Sequence, residues 1–228
     1  MSDQSSYTLM RWQKNHDIGA YYPSWRIYRD RKPSDLSVYL ADLHCDTRSA
    51  VDGTHGALPA LVKLKKEQYP HLKVLLSIGG GSGSKNFSNV AADPVKRRTF
   101  CETARQLVDD FDLDGIDIDW EHPDSKAKAE TFTHLLTQLR DHLTSPRYTI
   151  TAALPAGEWC LKHIDLPELL SDCNPSLDHV NIMAYDFAGA WSNGQSGHHA
   201  QLHAPSNPHN HFAHYNLASG PCLLLLLF

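Results

Sequence analysis

The sequence predicts an α/β fold built around a parallel β-sheet, and three observations support this prediction. Short apolar segments rich in β-branched or aromatic residues alternate with longer segments of helical periodicity. The apolar segments are nearly continuous, which is typical of parallel strands buried on both faces. Alternation of strands and helices implies right-handed βαβ units. A closed (β/α)8 barrel and an open doubly wound sheet both fit this pattern.

Six segments are predicted as strands because each is short, apolar and bounded by turn-forming or charged residues. They are residues 18–22, 37–40, 73–78, 115–120, 148–153 and 180–184. An eight-stranded barrel usually requires about 250 residues, yet the sixth segment already ends near residue 185 of 228. A barrel assignment therefore predicts an incomplete barrel of about six βα units, with the last two strands missing.

Four segments are predicted as helices by their periodicity and their end signals. They are residues 58–68, 94–110, 126–143 and 166–171. In the first, leucine and valine residues fall on one side and lysines on the other. Asp93 and Pro94 supply an N-cap and a first-turn proline for the second.

Composition and charge exclude several functional classes. The chain carries 21 basic and 26 acidic residues, a net charge of −5, and no cluster of Lys or Arg. We therefore expect no nucleic-acid partner and no anionic membrane surface. The longest apolar run, Cys222 to Phe228, is far shorter than the ~20 residues of a membrane span. The five cysteines contain no C-x-x-C pair and are expected to be buried thiols.

The chain divides into three predicted parts. Residues 1–16 form an N-terminal tail, residues 17–195 form the partial barrel domain, and residues 196–228 form an irregular tail rich in histidine. The histidine spacing matches no metal-ligand pattern, so we expect a solvated loop and no metal site. The N-terminus lacks an apolar signal segment, which taken at face value predicts a cytoplasmic location.

The most informative segment is residues 111–121, FDLDGIDIDWE. On a strand, the apolar residues at 116, 118 and 120 fall on one face, and Asp117, Asp119 and Glu121 fall on the other. Like charges in a low-dielectric site raise one another's pKa values. We therefore expect a proton shared along this row of acids, with Glu121 protonated near neutral pH as a general acid must be.

Two alternatives compete with that interpretation. One is an amphipathic edge strand whose acidic face is solvated. The other is calcium binding, because residues 110–121 match the EF-hand loop D-x-D-x-D-G-x5-E. An EF-hand requires a helix through Glu121, and Pro123 would obstruct that helix. A second paired hand is also absent from the sequence.

Three motifs resemble those of the family 18 glycoside hydrolases, the chitinase family. Residues 114–121, DGIDIDWE, resemble its signature D-x-x-D-x-D-x-E. Residues 77–80, SIGG, resemble its S-x-G-G, and residues 183–186, MAYD, resemble its M-x-Y-D. All three follow the family's order at the carboxyl ends of predicted strands, where barrel active sites are built. The resemblance covers about residues 17–200 and implies a TIM-type barrel close to that of fungal chitinases.

The resemblance also implies an enzyme that hydrolyses β-1,4-linked N-acetylglucosamine in chitin or chitooligosaccharides. Family members retain configuration, and the nucleophile is the acetamido oxygen of the substrate. Glu121 would protonate the glycosidic oxygen and Asp119 would orient the acetamido group. Asp117 would share a proton with Asp119, and Tyr185 would donate its hydroxyl to the acetamido group. No metal or organic cofactor is implied, and the oligomeric state is left open.

Further residues carry implied roles in substrate binding or structure. The substrate-binding set is Tyr21, Trp25, Gly79, Gly80, Met183, Asp186 and Trp191, and the structural pair is Asp114 and Gly115. Tyr22 matches the family tyrosine as well as Tyr21 does, and both tryptophans could instead belong to the core.

The sequence departs from the family pattern in two places. Residues 81–83, Gly-Ser-Gly, stand where an aromatic residue is common, and no segment matches strands seven and eight. A truncated, inactive or weakly chitin-binding fragment is therefore the alternative function. An extracellular location, as for many family members, is the alternative to a cytoplasmic one.

Overall fold

The structure is a computed structural model that describes residues 6–13, 16–23, 43–48, 50–171, 173–192, 194 and 196–203. The strands in these residues are β1 Ser6–Gln13, β2 His16–Pro23, β3 Ala50–Val51, β4 Thr54–His55, β5 Leu72–Gly79, β6 Gly115–Asp119, β7 Thr149–Pro155 and β8 His179–Met183. The helices are α1 Leu43–Thr47, α2 Ala57–Glu67, α3 Gly80–Gly83, α4 Phe87–Ala92, α5 Pro94–Asp110, α6 Lys126–His142, α7 Glu158–Leu161 and α8 Leu166–Leu169, with a 3-10 turn at Ser84–Asn86.

The main sheet has six strands in the order β2-β1-β5-β6-β7-β8. Strands β5 to β8 are parallel, and β1 pairs antiparallel with both β2 and β5. The carboxyl ends of the four parallel strands therefore meet at one edge of the sheet. The α/β fold and the parallel sheet of an incomplete barrel are confirmed.

Most of the predicted elements are present with shifts of one or two residues at their ends. Strands β2, β5, β6, β7 and β8 correspond to five predicted strands, and the sixth, residues 37–40, lies outside the described residues. The four predicted helices correspond to α2, α5, α6 and α8. Asp93 caps α5 as expected, because its Oδ1 accepts from the amides of Val95 and Lys96 at 2.9 and 3.2 Å.

The N-terminal strand β1 was not predicted. Its eight residues, SYTLMRWQ, lie in the segment for which the sequence pattern predicts an N-terminal tail. The strand pairs with β2 from Ser6 opposite Pro23 to Gln13 opposite His16. Tyr, Thr and Trp have high β-propensity, and antiparallel pairing to a following strand requires no helical crossover. The expectation of parallel pairing throughout the sheet is therefore wrong at β1.

The core lies between β6 and the helices α4, α5 and α6. Ile116 and Ile118 of β6 are fully buried, as is Phe132 of α6. The Trp120 ring stacks on Phe87 with centroids 5.5 Å apart and an interplanar angle of 11°. Burial of each such side chain contributes about 1.5–3 kcal/mol. The apolar face of the 115–120 segment thus anchors this strand and fixes the direction in which its acidic face points.

The structure also bears on the cysteine and membrane predictions. Cys101 and Cys160 are fully buried, and burial raises the pKa of each thiol to about 12. Cys173 is exposed, so the expectation of burial is wrong there, and Cys222 lies outside the described residues. Within the described part of the chain, each helix is too short or too polar to span a bilayer.

Candidate active site

Asp117 lies at the centre of a hydrogen-bond network that joins four parallel strands. Its Oδ2 accepts from Ser77 Oγ of β5 at 2.8 Å. Its Oδ1 accepts from Thr151 Oγ1 of β7 at 2.5 Å and from Asn181 Nδ2 of β8 at 3.1 Å. Three donors on a fully buried carboxyl group offset the cost of its burial. Asp117 is therefore held in place by both neighbouring strands and by β8.

Asp119, two residues further along β6, has the opposite environment. Its side chain is nearly buried, and its Oδ1 has no hydrogen-bond partner among the described residues. Burial raises the pKa of Asp119 to about 8, with further contributions from the charges of Glu121 and Asp117. At neutral pH this carboxyl group holds a proton, and a buried oxygen without a partner is available to a ligand.

Glu121 follows the strand at its carboxyl end, and its side chain is 27% exposed. Burial raises the pKa of Glu121, and the negative charge of Asp186 raises it further. Its amide donates to Ser84 Oγ at 2.8 Å, and the same hydroxyl donates to the Asp119 carbonyl at 3.0 Å. The Ser84 hydroxyl thus bridges the Asp119 carbonyl and the Glu121 amide, and it fixes the backbone turn that positions Glu121.

Two glycines allow the neighbouring strands to approach β6 closely. Gly79, the last residue of β5, has φ +127°, and a Cβ there would lie 2.0 Å from the carbonyl oxygen of Asp119. Gly115 begins β6, and a Cβ there would lie 1.8 Å from the carbonyl oxygen of Thr149. A side chain at either position would force the strands apart. Both glycines are therefore required by the backbone geometry around the row of acids.

Asp114, at the other end of β6, is a structural residue in this geometry. Its two carboxyl oxygens accept from Lys65 Nζ at 2.9 and 3.0 Å, and Oδ2 also accepts from the Val74 amide at 2.7 Å. The residues that follow form a β-strand paired on both sides. An EF-hand requires a curved loop in which these acids converge. The geometry therefore does not support the calcium alternative.

The end of β8 brings a second group of side chains to the same edge of the sheet. Tyr185 is partly exposed, and its pKa is raised first by burial and then by the charges of Asp119 and Glu121. Asp186 has φ +56°, and His199 Nδ1 lies 3.1 Å from its Oδ1. The His199 ring stacks on Tyr185 with centroids 6.2 Å apart. Tyr185 and Asp186 thus lie at the same edge of the sheet as the acids of β6 and within electrostatic range of them.

The remaining residues of the predicted site are not all brought together. Gly80 is buried at the start of α3, and Met183 ends β8 opposite Pro155. Trp191 is 62% exposed, so it does not belong to the core. Tyr21 and Tyr22 lie in β2, which β1 and β5 separate from β6 in the sheet. Trp25 lies outside the described residues.

The sequence pattern predicts no role for five residues that lie at or near the site. They are Ser84, His122, Thr151, Asn181 and His199. Thr151 and Asn181 are polar residues within apolar strands, and this exception to the apolar pattern was a usable signal. His122 Nε2 lies 3.9 Å from Glu121 Oε2, and burial lowers the pKa of His122.

The family match and the curated relatives of this chain all belong to one kind of protein. The family model for "Glycosyl hydrolases family 18" matches residues 17–220. The chain is 32% identical over 226 residues to "Chitinase 1" of Aphanocladium album, which covers 82% of this chain and 52% of that protein. It is 32% identical over 227 residues to "Endochitinase 1" of Metarhizium robertsii, with coverages of 83% and 52%. The chain thus spans about half the length of these curated relatives.

Solved structures share this fold. Chitinase ChiA74 from Bacillus thuringiensis superposes with a TM-score of 0.68 at 30% identity, covering 78% of this chain and 32% of that one. A class V chitinase from tobacco, in complex with NAG4, superposes with a TM-score of 0.57 at 28% identity, covering 67% and 45%.

Proposed function

The chain belongs to the family 18 glycosyl hydrolases, and we propose that it hydrolyses β-1,4 linkages between N-acetylglucosamine residues in chitin or chitooligosaccharides. The relatives named above are chitinases, and the tobacco neighbour binds an N-acetylglucosamine oligomer. The observation that carries the proposal is the buried Oδ1 of Asp119, which has no hydrogen-bond partner among the described residues and lies between two other acids.

Asp119 is the group that orients the substrate in this proposal. An acetamido group carries one N–H donor, and the unpartnered Asp119 oxygen is a buried acceptor of matching chemistry. The substrate's acetamido oxygen then attacks the anomeric carbon, and the bond between that carbon and the leaving glycosidic oxygen breaks. Asp117 remains fixed by its three donors beside Asp119 and would share the Asp119 proton, so that Asp119 can carry negative charge next to a positively charged oxazolinium-like intermediate.

Glu121 is the general acid and then the general base. Burial and the nearby charge of Asp186 both favour its protonated form, which is the form that can donate to the leaving oxygen. After departure of the leaving group, the Glu121 carboxylate accepts a proton from the water that opens the intermediate. Tyr185 would donate its hydroxyl to the acetamido oxygen, since its raised pKa keeps the phenol protonated throughout.

The other assigned residues would contact the substrate from the same edge of the sheet. Gly79 ends β5 and Gly80 begins the next helix, while Met183 ends β8 and Asp186 follows it. Trp191 offers an exposed aromatic face to a sugar. Tyr21, Trp25 and the cellular location stay predictions from the sequence.

Replacement of the general acid tests the proposal. We expect Glu121→Gln to lower the release of a fluorogenic aglycone from a chitobioside by about 10²- to 10⁴-fold, the usual contribution of general acid–base catalysis. Glu130→Gln, on the exposed face of α6, is the matched control and should leave release unchanged. Both variants should bind chitooligosaccharides with the affinity of the parent chain, because neither loses a buried apolar contact.

The same experiment separates the two functions that the sequence suggests. Release by the parent chain that Glu121→Gln abolishes supports hydrolysis. Binding of chitooligosaccharides by the parent chain without any release would instead support the weakly chitin-binding fragment. Equal release by Glu121→Gln and the parent chain would refute the role of Glu121.

A further inference from the structure

We infer that His122 is a positioning residue for Glu121 in the second half of the reaction, when its Nε2–H donates to the ionised Glu121 carboxylate. The inference rests on the proposed function, because it describes how the general acid becomes an effective general base. The two tasks of Glu121 require opposite protonation states. A neutral donor that binds only the ionised form supports the second task without disturbing the first.

His122 directly follows Glu121, and its imidazole lies beside the carboxyl group. The distance from His122 Nε2 to Glu121 Oε2 is 3.9 Å. This distance exceeds a hydrogen bond, but catalytic hydrogen bonds are often long without substrate and shorten in the complex. Among the described residues, no hydrogen bond reaches either oxygen of this carboxyl group. His122 Nε2 is therefore within reach of a carboxyl group that otherwise lacks a donor in this part of the chain.

The second nitrogen of the imidazole indicates which tautomer is present. Nδ1 of His122 is buried and has no hydrogen-bond partner among the described residues. A neutral imidazole carries one N–H, and a proton on Nδ1 would leave a buried donor without an acceptor. A proton on Nε2 instead faces the Glu121 carboxyl group. We therefore expect the tautomer that can donate to Glu121.

The environment of the imidazole keeps it neutral. Burial lowers the pKa of His122, and the smaller contributions of Asp124 and Lys128 oppose each other. These two residues form an ion pair, with Lys128 Nζ 2.7 Å from Asp124 Oδ1. Burial and the charge of Asp186 raise the pKa of Glu121. Both shifts favour the uncharged pair, an imidazole and a carboxylic acid, with which the reaction begins.

The other titratable groups that face Glu121 supply no positive charge to it. Burial raises the pKa of Asp119 to about 8 and also raises the pKa of Tyr185, so both groups are protonated and uncharged at neutral pH. An imidazolium in this place would stabilise the carboxylate early and remove the proton that the leaving oxygen needs. A neutral imidazole leaves that proton on Glu121 until it is transferred.

The imidazole ring is held in its orientation by helix α7. The indole of Trp159 meets it edge to face, with ring centroids 5.2 Å apart and planes at 85°. The next residue of the helix, Cys160, is fully buried, and its Sγ donates to the Pro123 carbonyl at 3.6 Å. Helix α7 is therefore attached to the residue that directly follows His122. A ring fixed in this way loses little conformational entropy when it forms a hydrogen bond.

The order of steps defines when this donor acts. Glu121 first gives its proton to the leaving oxygen and becomes a carboxylate. The Nε2–H of His122 then donates to Oε2, which leaves Oε1 for water. The water oxygen bonds to the anomeric carbon, a water proton passes to Oε1, and the bond from that carbon to the acetamido oxygen breaks. His122 neither gains nor loses a proton, so it acts only by positioning the base.

Hydrolysis of chitobiose oxazoline tests the inference, because this substrate enters after the acid step and has no sugar on the leaving-group side. We expect His122→Phe, which keeps a ring against Trp159 but removes the donor, to slow oxazoline hydrolysis about tenfold at mildly alkaline pH. His122→Gln can still present an amide N–H to Glu121 and should retain the rate to within about threefold. The kcat/KM for aglycone release from a fluorogenic chitobioside depends on the acid step and should change less than about twofold in His122→Phe.

The ionisation of Glu121 gives a second readout that requires no turnover. In carboxyl ¹³C NMR of the glutamate-labelled chain, Glu121 should titrate at a higher pH in His122→Phe than in the parent chain, because its ionised form loses a donor. In His122→Gln it should titrate as in the parent chain. His134→Phe, on the exposed face of α6, is the matched control and should change neither the rates nor the titration.

Three results would overturn the inference. One is an unchanged Glu121 titration in His122→Phe, and another is an unchanged oxazoline rate in that variant of an active chain. The third is a loss in His122→Gln that equals or exceeds the loss in His122→Phe, because a purely structural role of the ring predicts that order. If the titration shifts as expected while the parent chain neither releases aglycone nor hydrolyses the oxazoline, the contact between the two side chains stands and the proposal of hydrolysis fails.

Discussion

The two ends of β6 carry the same residue type in opposite environments. Asp114, just before the amino end, accepts two hydrogen bonds from Lys65, which is also its ion-pair partner, and one from the Val74 amide. Asp119, at the carboxyl end, is more deeply buried and has a carboxyl oxygen without a partner among the described residues. Evolution toward stability alone would satisfy both groups. The difference indicates that the amino end of this strand is built for stability and the carboxyl end for chemistry.

Asp119→Asn gives the largest expected effect on activity. We expect turnover of a fluorogenic chitobioside to fall about 10²- to 10³-fold, because an amide cannot pass on a proton as Asp119 would and so cannot become the charged group that stabilises the intermediate. We also expect the variant to be more stable than the parent chain at neutral pH. In the folded parent chain the pKa of Asp119 is about 8, whereas in the unfolded chain this group ionises above its ordinary pKa of 3.8. Folding at neutral pH must therefore return a proton to Asp119, and this lowers the stability of the parent chain.

The pH dependence of unfolding tests whether Asp119→Asn stabilises the chain. Between about pH 4 and 8 the folded parent chain binds more protons than the unfolded chain, so its stability falls as pH rises. Asparagine does not titrate, and the stability gap between variant and parent should therefore widen over this interval and become constant above it. Thermal melts from pH 4 to 9 test this point. A variant less stable than the parent chain at pH 8 would contradict the assigned environment of Asp119.

Asp114→Asn should lower the stability of the chain and leave its turnover nearly unchanged, which is the opposite of what we expect for Asp119→Asn. The size of the effect should also be smaller. Loss of the ion pair to Lys65 and weakening of the bond from the Val74 amide should cost about 1–3 kcal/mol in the free energy of unfolding. Urea denaturation at pH 7 measures this cost, and Asp110→Asn, an exposed acid at the end of α5, is the control. Turnover per folded molecule should change little. A loss of turnover as large as that of Asp119→Asn would remove the contrast between the two ends.

The features of β6 that depend only on neighbouring residues could be predicted from the sequence. Alternation along residues 115–121 is a property of neighbouring residues, and it predicted correctly which side chains face the core. The strand and helix assignments from residue 72 to 183 rest on the same local periodicity and are confirmed to within two residues.

The partners of each acid were not predictable in the same way. The donors to Asp117 come from Ser77, Thr151 and Asn181, which lie 34 to 64 residues away along the chain. Their convergence depends on strand order and register, which periodicity does not encode. The contact of His199 with Asp186 likewise depends on a loop that carries no periodic signal. The N-terminal strand was missed because it pairs antiparallel at the edge of a sheet expected to be parallel.

The ionisation of Asp119 is the most direct test of the central claim, that the carboxyl end of β6 holds a proton ready for use. Carboxyl ¹³C NMR of the aspartate-labelled chain can follow Asp119 together with Asp112, whose pKa is lowered by its hydrogen bond and ion pair with Lys66. We predict that Asp119 titrates near pH 8 and that Asp112 titrates below 3.8. Titration of both groups at the same acidic pH would contradict the account.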